Sequence, residues 1–95
     1  IGFDGCLMSD DVSMQALSGS IGERTAAAIA AGCDLALHCN GDLAEMQAVA
    51  AEAPTLAGRA ADRAATALAA RRAPEPLDEA EARARFARLT APASV

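Results

Sequence analysis

Aromatic side chains are almost missing from this 95-residue chain, which has two Phe, no Trp and no Tyr. Large rings supply much of the buried area in ordinary cores, so an interior built on them is excluded. The hydrophobic fraction is still 53%, and alanine supplies most of it. Alanine buries little area per residue. That predicts close but weakly stabilised contacts and, at this length, one small domain at most. An excess of basic residues is also absent. A net charge of −5 and a pI of about 4.6 argue against nucleic acid or an anionic membrane as partner, since both require a basic face. No apolar stretch approaches the roughly 20 residues of a membrane span, and no signal peptide is visible. Cys6, Cys33 and Cys39 are an odd set without C-x-x-C spacing. They predict reduced thiols and a cytoplasmic location rather than a disulfide framework. A starting methionine is missing too, so the expectation is a piece of a longer frame.

The residues that are present alternate between two patterns. Gly5 to Ser9 is a short apolar run that predicts a buried strand. Val12 to Gly19 reads as a loop or short turn. Ser20 and Glu23 form an S-x-x-E capping box, predicting a helix over 21–31 that Gly32 ends. Asp34 to Cys39 predicts a second buried strand. Asn40-Gly41 is turn chemistry, Asp42 caps a further helix, and Pro54 stops it. Strand–helix–strand–helix with short links predicts parallel strands in an α/β fold. Two strands leave unpaired edges, so the expectation is that most of the domain lies upstream of Ile1. Beyond Pro54 the sequence predicts an alanine-rich helix over 58–73, a break at Pro74-Glu75-Pro76, a charged helix over 78–89 and a frayed tail over 90–95. The expected division is 1–53 for the strand–helix units and 54–95 for C-terminal helices packed across their outside. The arginines of the third helix are expected to be salt-bridged to Asp62 and to the acids of the last helix.

The stretch that carries chemistry is Ser9-Asp10-Asp11. Ligands of α/β folds sit at the carboxyl ends of strands, and an acid there is placed for nucleophilic or acid/base work. The plainer alternative is that one acid merely caps the following turn. A different class of function is a small module in which Asp10 and Asp11 hold Mg²⁺ against a phosphate. That would need a third oxygen ligand and a phosphate-cradling loop, and Ser18 to Gly22 has no Lys and no such spacing. A third possibility is a structural remnant without function.

The run GFDGCLMSDDVSMQAL, followed after a capped helix by AGCDLALHCNGDLAEM, resembles the C-terminal part of the family-3 glycoside hydrolases. More narrowly, it looks like the β-N-acetylglucosaminidase branch that serves bacterial peptidoglycan recycling. The resemblance covers about Ile1 to Met46. It implies a (β/α)8 barrel whose last two βα units lie here, with Gly5 to Asp10 as strand seven and Asp34 to Cys39 as strand eight. It implies Asp10, rather than Asp11, as the nucleophile of a retaining β-N-acetylhexosaminidase. The implied substrate is N-acetylglucosamine linked β to anhydromuramyl peptides, with no metal and no cofactor. Ser9 and loop N–H groups are expected to hydrogen-bond Asp10 and keep it ionised. The family's Asp–His acid/base pair and its Lys-His-Phe-Pro-Gly-His-Gly run have no match in this sequence. The chain alone is therefore expected to be inactive.

Other residues carry weaker signals. Met14 is a candidate apolar wall for the sugar's N-acetyl methyl, or simply a rim residue. His38 with Cys33, Cys39 and Cys6 would be a zinc set by residue type. Adjacent strand residues face opposite ways, however, so His38 and Cys39 are not expected to share an ion. Asn40 is expected to serve the turn.

Overall fold

The computed structural model describes residues 1–92. The order of elements is β1 (Met8–Asp11), α1 (Ile21–Ala30), β2 (Leu35–Leu37), α2 (Leu43–Glu52), α3 (Gly58–Ala69) and α4 (Glu79–Thr90). β1 and β2 pair in parallel, as the alternation of elements requires.

The helix boundaries follow their caps. Ser20 Oγ accepts from Glu23 N at 3.2 Å and Ser20 N donates to the Glu23 carboxylate at 2.7 Å, closing both halves of the box. Gly32 ends α1 at φ +107°, a region that favours glycine. Its N–H donates to Ile29 O at 3.0 Å and that of Cys33 to Ala28 O at 3.1 Å, the two bonds of a Schellman end. Asp42 caps α2 through Glu45 N, and Asp78 caps α4 through Glu81 N.

Three elements differ from the sequence expectation. The first strand is not Gly5 to Ser9 but Met8–Asp11. The apolar run reaches the sheet before the ladder begins, because Leu7 N donates to the Asp34 carboxylate at 2.9 Å instead of to a strand carbonyl. Asp10 and Asp11 therefore lie within the last two residues of β1, not beyond it. The second strand is likewise shorter, Leu35–Leu37 instead of 34–39. α3 ends at Ala69, short of residue 73. Its last turn tightens to a three-residue bond, Arg71 N to Leu68 O. The approach to Pro74 then disfavours helical backbone. The expected tail falls partly outside the described residues, at 93–95.

Burial is sparse. Val12, 1% exposed, is the only fully buried apolar side chain among the described residues, and Thr25 is buried with its hydroxyl on Ile21 O at 2.9 Å. The small interior matches an alanine-rich composition. The radius of gyration is 19.2 Å, against about 12 Å for a compact chain of this length. α1 and α2 pack on each other, and α1 packs on β2. α3 is held by charge: Arg63 donates to Asp34 at 3.2 Å and to Asp4 at 2.6 Å, and Arg59 also pairs with Asp4. The third-helix arginines thus reach the N-terminal segment, not Asp62 or the last helix, because α3 lies against the start of the strands. α4 has no hydrogen bond or ion pair to another element among the described residues. Its Arg83–Glu79 pair is internal, and Phe86 and Leu89 stay exposed.

Candidate active site

The end of β1 is irregular. Met8 pairs with Leu35 and Asp11 with Leu37, so three steps on β1 oppose two on β2. The extra residue makes a bulge, a feature that re-aims side chains and recurs beside active sites. Ser9 stabilises it: its Oγ accepts from Leu37 N at 3.0 Å, which gives that strand amide a partner where the ladder slips. The expected Ser9 bond to Asp10 does not form among the described residues, because the hydroxyl is turned to β2; the N–H from which Asp10 does accept is that of Asp11. Along β1 exposure alternates, with Met8 and Asp10 on the open side and Ser9 and Asp11 half-buried.

The two acids are used differently. Asp11 Oδ1 accepts from Ser13 N at 3.0 Å and Cys39 N at 3.2 Å, and Oδ2 accepts from Ser13 Oγ at 2.7 Å. The Ser13 hydroxyl, then the Ser13 amide and the Cys39 amide hold the Asp11 carboxyl below the usual carboxylate range. Asp11 thus ties the loop after β1 to the end of β2. Asp10 accepts a single bond, on Oδ1 from Asp11 N at 2.8 Å, and its other oxygen faces outward. A magnesium site shared by both acids would have to compete for Asp11 with three donors.

Asp10 opens on a cleft of about 540 Å³ whose walls include Ser9, Asp11, Met14, Leu17 and Arg24. Met14 is 42% exposed there, so the structure brings Met14 and Asp10 to the same cleft. A second cleft of about 390 Å³ lies at the other end of the strands, between Asp4, Arg59 and Arg63. There Asp4 is paired with both Arg59 and Arg63, whereas Asp10 keeps an unspent carboxylate oxygen.

Just after β2, the His38 side chain is only 6% exposed and its Nε2 lies 2.8 Å from the Glu45 carboxylate. Asn40 donates to the same carboxylate, and its Oδ1 accepts from Asp42 N at 2.9 Å, an Asx turn. The His38 contact, followed by Asn40, lowers the Glu45 pKa. Asn40 therefore builds the turn. Among the described residues no three His, Cys, Asp or Glu side chains are grouped as a metal would require.

Sequence reasoning missed two participants. Ser13 stands two residues after Asp11, the spacing of an Asx turn, and that signal was available. Arg24 had no such signal; its role depends on how α1 folds back on the loop. No helix is long and apolar enough to cross a membrane among the described residues.

Comparison with known proteins places these features in a family. The Glycosyl hydrolase family 3 N terminal domain matches residues 1–71. The β-hexosaminidase of Thiobacillus denitrificans is 55% identical over 42 residues, covering 42% of this chain and 12% of that protein. That of Idiomarina loihiensis is 38% identical over 63 residues, covering 64% of this chain and 19% of that protein. That of Bordetella pertussis is 47% identical over 47 residues, covering 47% and 13%. The chain spans only 12% to 19% of the length of these relatives. No solved structure matches it. With three quarters of its residues matched by the domain, and with its carboxylate-bearing strand end inside the matched stretch, the chain belongs to glycosyl hydrolase family 3.

Proposed function

We propose that this chain carries the nucleophile-bearing region of a retaining β-hexosaminidase, with Asp10 as the nucleophile. The observation that supports it best is the contrast between the two acids. Asp11 spends both oxygens on the loop, while Asp10 keeps one oxygen free at the bulged end of β1, in an open cleft. In the proposed reaction the Asp10 carboxylate attacks the anomeric carbon as the glycosidic C–O bond breaks, and an acid protonates the leaving oxygen. Water then attacks the glycosyl-aspartate and restores the carboxylate. The positive charge that develops on the sugar is stabilised by the anionic Asp10 beneath it. Met14 would wall the N-acetyl methyl.

The substrate read from the resemblance is terminal β-linked N-acetylglucosamine on anhydromuramyl peptides from peptidoglycan turnover, handled in the reducing cytoplasm. The strand–helix units are read as the last two of a (β/α)8 barrel. No residue here matches the family's Asp–His acid/base, so the 95-residue chain alone is proposed to be inactive. Measurable turnover of an aryl N-acetylglucosaminide by that chain would refute this.

The test of the nucleophile is trapping. The full-length protein is incubated with a fluorinated, activated N-acetylglucosaminide, and the adduct is mapped by peptide mass spectrometry. A label on Asp10 is the expected result. A label on Asp11 would move the role to that residue, and an unlabelled active protein with inverted product would end the retaining reading.

A further inference from the structure

Arg24 is placed unusually for a surface arginine of α1. None of the ion pairs among the described residues includes it. Instead its guanidinium donates to three main-chain carbonyls of one loop. Nε reaches Gly19 O at 2.9 Å, and Nη1 reaches both Val12 O and Met14 O at 3.1 Å. These carbonyls span the whole connection between β1 and α1, and the same loop supplies Met14 and Leu17 to the Asp10 cleft. Inside the loop only two main-chain bonds hold the backbone, Met14 N to Asp11 O at 3.2 Å and Leu17 N to Met14 O at 3.1 Å. The start of the loop is anchored to β2 by Val12 N, which donates to Leu37 O at 2.8 Å, and by the buried Val12 side chain. Beyond that anchor and the Asp11–Ser13 turn, the side-chain bonds to the loop backbone among the described residues come from Arg24. A planar fork with five fixed donors suits three carbonyls at set angles. An ammonium on a flexible stem does not reproduce it.

We infer that Arg24 is a positioning residue that holds the Val12–Gly19 loop as a preformed wall of the Asp10 cleft and so sets affinity for the sugar rather than the rate of the chemical step. This rests on the glycosidase reading above. Residues that only bind, equally in ground and transition states, appear in KM and not in kcat. A loop that must be ordered by the ligand weakens binding by the ordering cost.

The experiment compares the wild type with Arg24→Met and Arg24→Lys in the full-length protein. Amide hydrogen exchange and steady-state hydrolysis of an aryl N-acetylglucosaminide are both read. In Arg24→Met the Met14 and Leu17 amides are expected to exchange roughly tenfold faster, with the α2 amides unchanged. KM is expected to rise roughly fivefold or more while kcat stays within about threefold. Arg24→Lys keeps the charge and loses the fork, so it is expected to recover less than half of either effect. It also decides the matter if Arg24→Met does not fold. Loop amides that exchange as in the wild type would overturn the inference. So would a fall in kcat at constant KM, or full recovery by lysine, which would show that charge alone suffices. A wild type with no turnover and no label on Asp10 would sink the glycosidase reading and the affinity role with it. Slowed exchange at Met14 and Leu17, lost in Arg24→Met, would then show only a loop clamp.

Discussion

The two ends of the β1–β2 pair carry similar numbers of charged side chains and use them in opposite ways. At the amino end Asp4, Asp34, Arg59 and Arg63 neutralise one another, and Asp34 also takes Leu7 N and is only 6% exposed. Arg63 depresses the Asp4 pKa most, with Arg59 next; for Asp34 the Leu7 amide comes first and Arg63 after it. Asp4, in turn, is the main cause of the raised Arg63 pKa. At the carboxyl end there is no arginine–carboxylate pair among the described residues. Carboxylates there are held by amides, a hydroxyl and a histidine, and Asp10 is left with an open oxygen. Charge at one end docks α3; charge at the other end is available to a ligand. In the proposed barrel these are the stability face and the catalytic face.

Asn at position 10 gives the largest expected effect. Asp10→Asn removes the nucleophilic oxygen and should lower kcat/KM roughly 10⁴-fold while leaving the melting temperature nearly unchanged. Asp11→Asn keeps an acceptor but loses the second charged oxygen that Ser13 uses, and should cost roughly 10- to 100-fold through a loosened loop. The trapped sugar should still sit on Asp10. Equal losses in both variants, with the label on Asp11, would erase the distinction between the two acids.

Arg63→Met tests the other end. It removes the α3 contact to Asp34 and one of the two to Asp4, leaving Arg59 on Asp4, so the melting temperature should fall while labelling of Asp10 in the folded protein is unaffected. A loss of labelling in a folded Arg63→Met protein would mean that the two ends are coupled. Acid pH acts on both ends. The Asp4, Asp11, Asp34, Glu23 and Glu45 pKa values are all lowered in the folded chain. Their contribution is complete above the ordinary carboxylate pKa of about 4 and is lost as pH falls through the depressed folded values. Thermal melting against pH should therefore show stability dropping below about pH 4. Arg63→Met should show a modestly shallower drop, because Asp34 loses its arginine and Asp4 keeps only Arg59, while the Leu7 amide still holds Asp34. An equally steep drop would show that Arg63 does not carry the acid sensitivity of the amino end.

Much of this contrast was legible in the sequence where local chemistry decides it. The Ser20–Glu23 box, Gly32 and Asp42 mark helix ends through bonds within a few residues, and the structure follows them. The Ser9-Asp10-Asp11 string marked the strand end for the same reason. What was not legible depends on distant partners. Ser9 was expected to serve its neighbour Asp10, but a bulge turns it to Leu37, 28 residues away. Arg59 and Arg63 were expected to find acids near them in sequence and instead found Asp4, 55 and 59 residues away. The first strand was placed too early because an apolar run marks burial, whereas a strand is defined by its ladder. At Leu7 the carbonyl already accepts from Leu35 N at 3.2 Å, but the amide is taken by the Asp34 carboxylate.

The smallest effect expected concerns the support of the carboxyl end. Ser20→Ala removes the half of the capping box that the hydroxyl makes, its acceptance from Glu23 N, together with the hydroxyl's bond to the Glu23 carboxylate, while the backbone N–H of residue 20 still donates to Glu23. Such a cap contributes about 1 kcal/mol, so the melting temperature of the full-length protein should fall by less than about 4 °C. The cost falls on the first turn of α1, which also carries Arg24 one turn further on. Fraying should therefore reach Gly19, whose carbonyl accepts from Arg24, before it reaches Val12 and Met14. Activity should fall less in Ser20→Ala than in Arg24→Met, and amide exchange should rise at Arg24, whose N–H donates to Ser20 O, more than at Met14. If Ser20→Ala instead matched Arg24→Met at Met14, the loop would be held by the helix end as a unit, and the fork of Arg24 would only report that attachment.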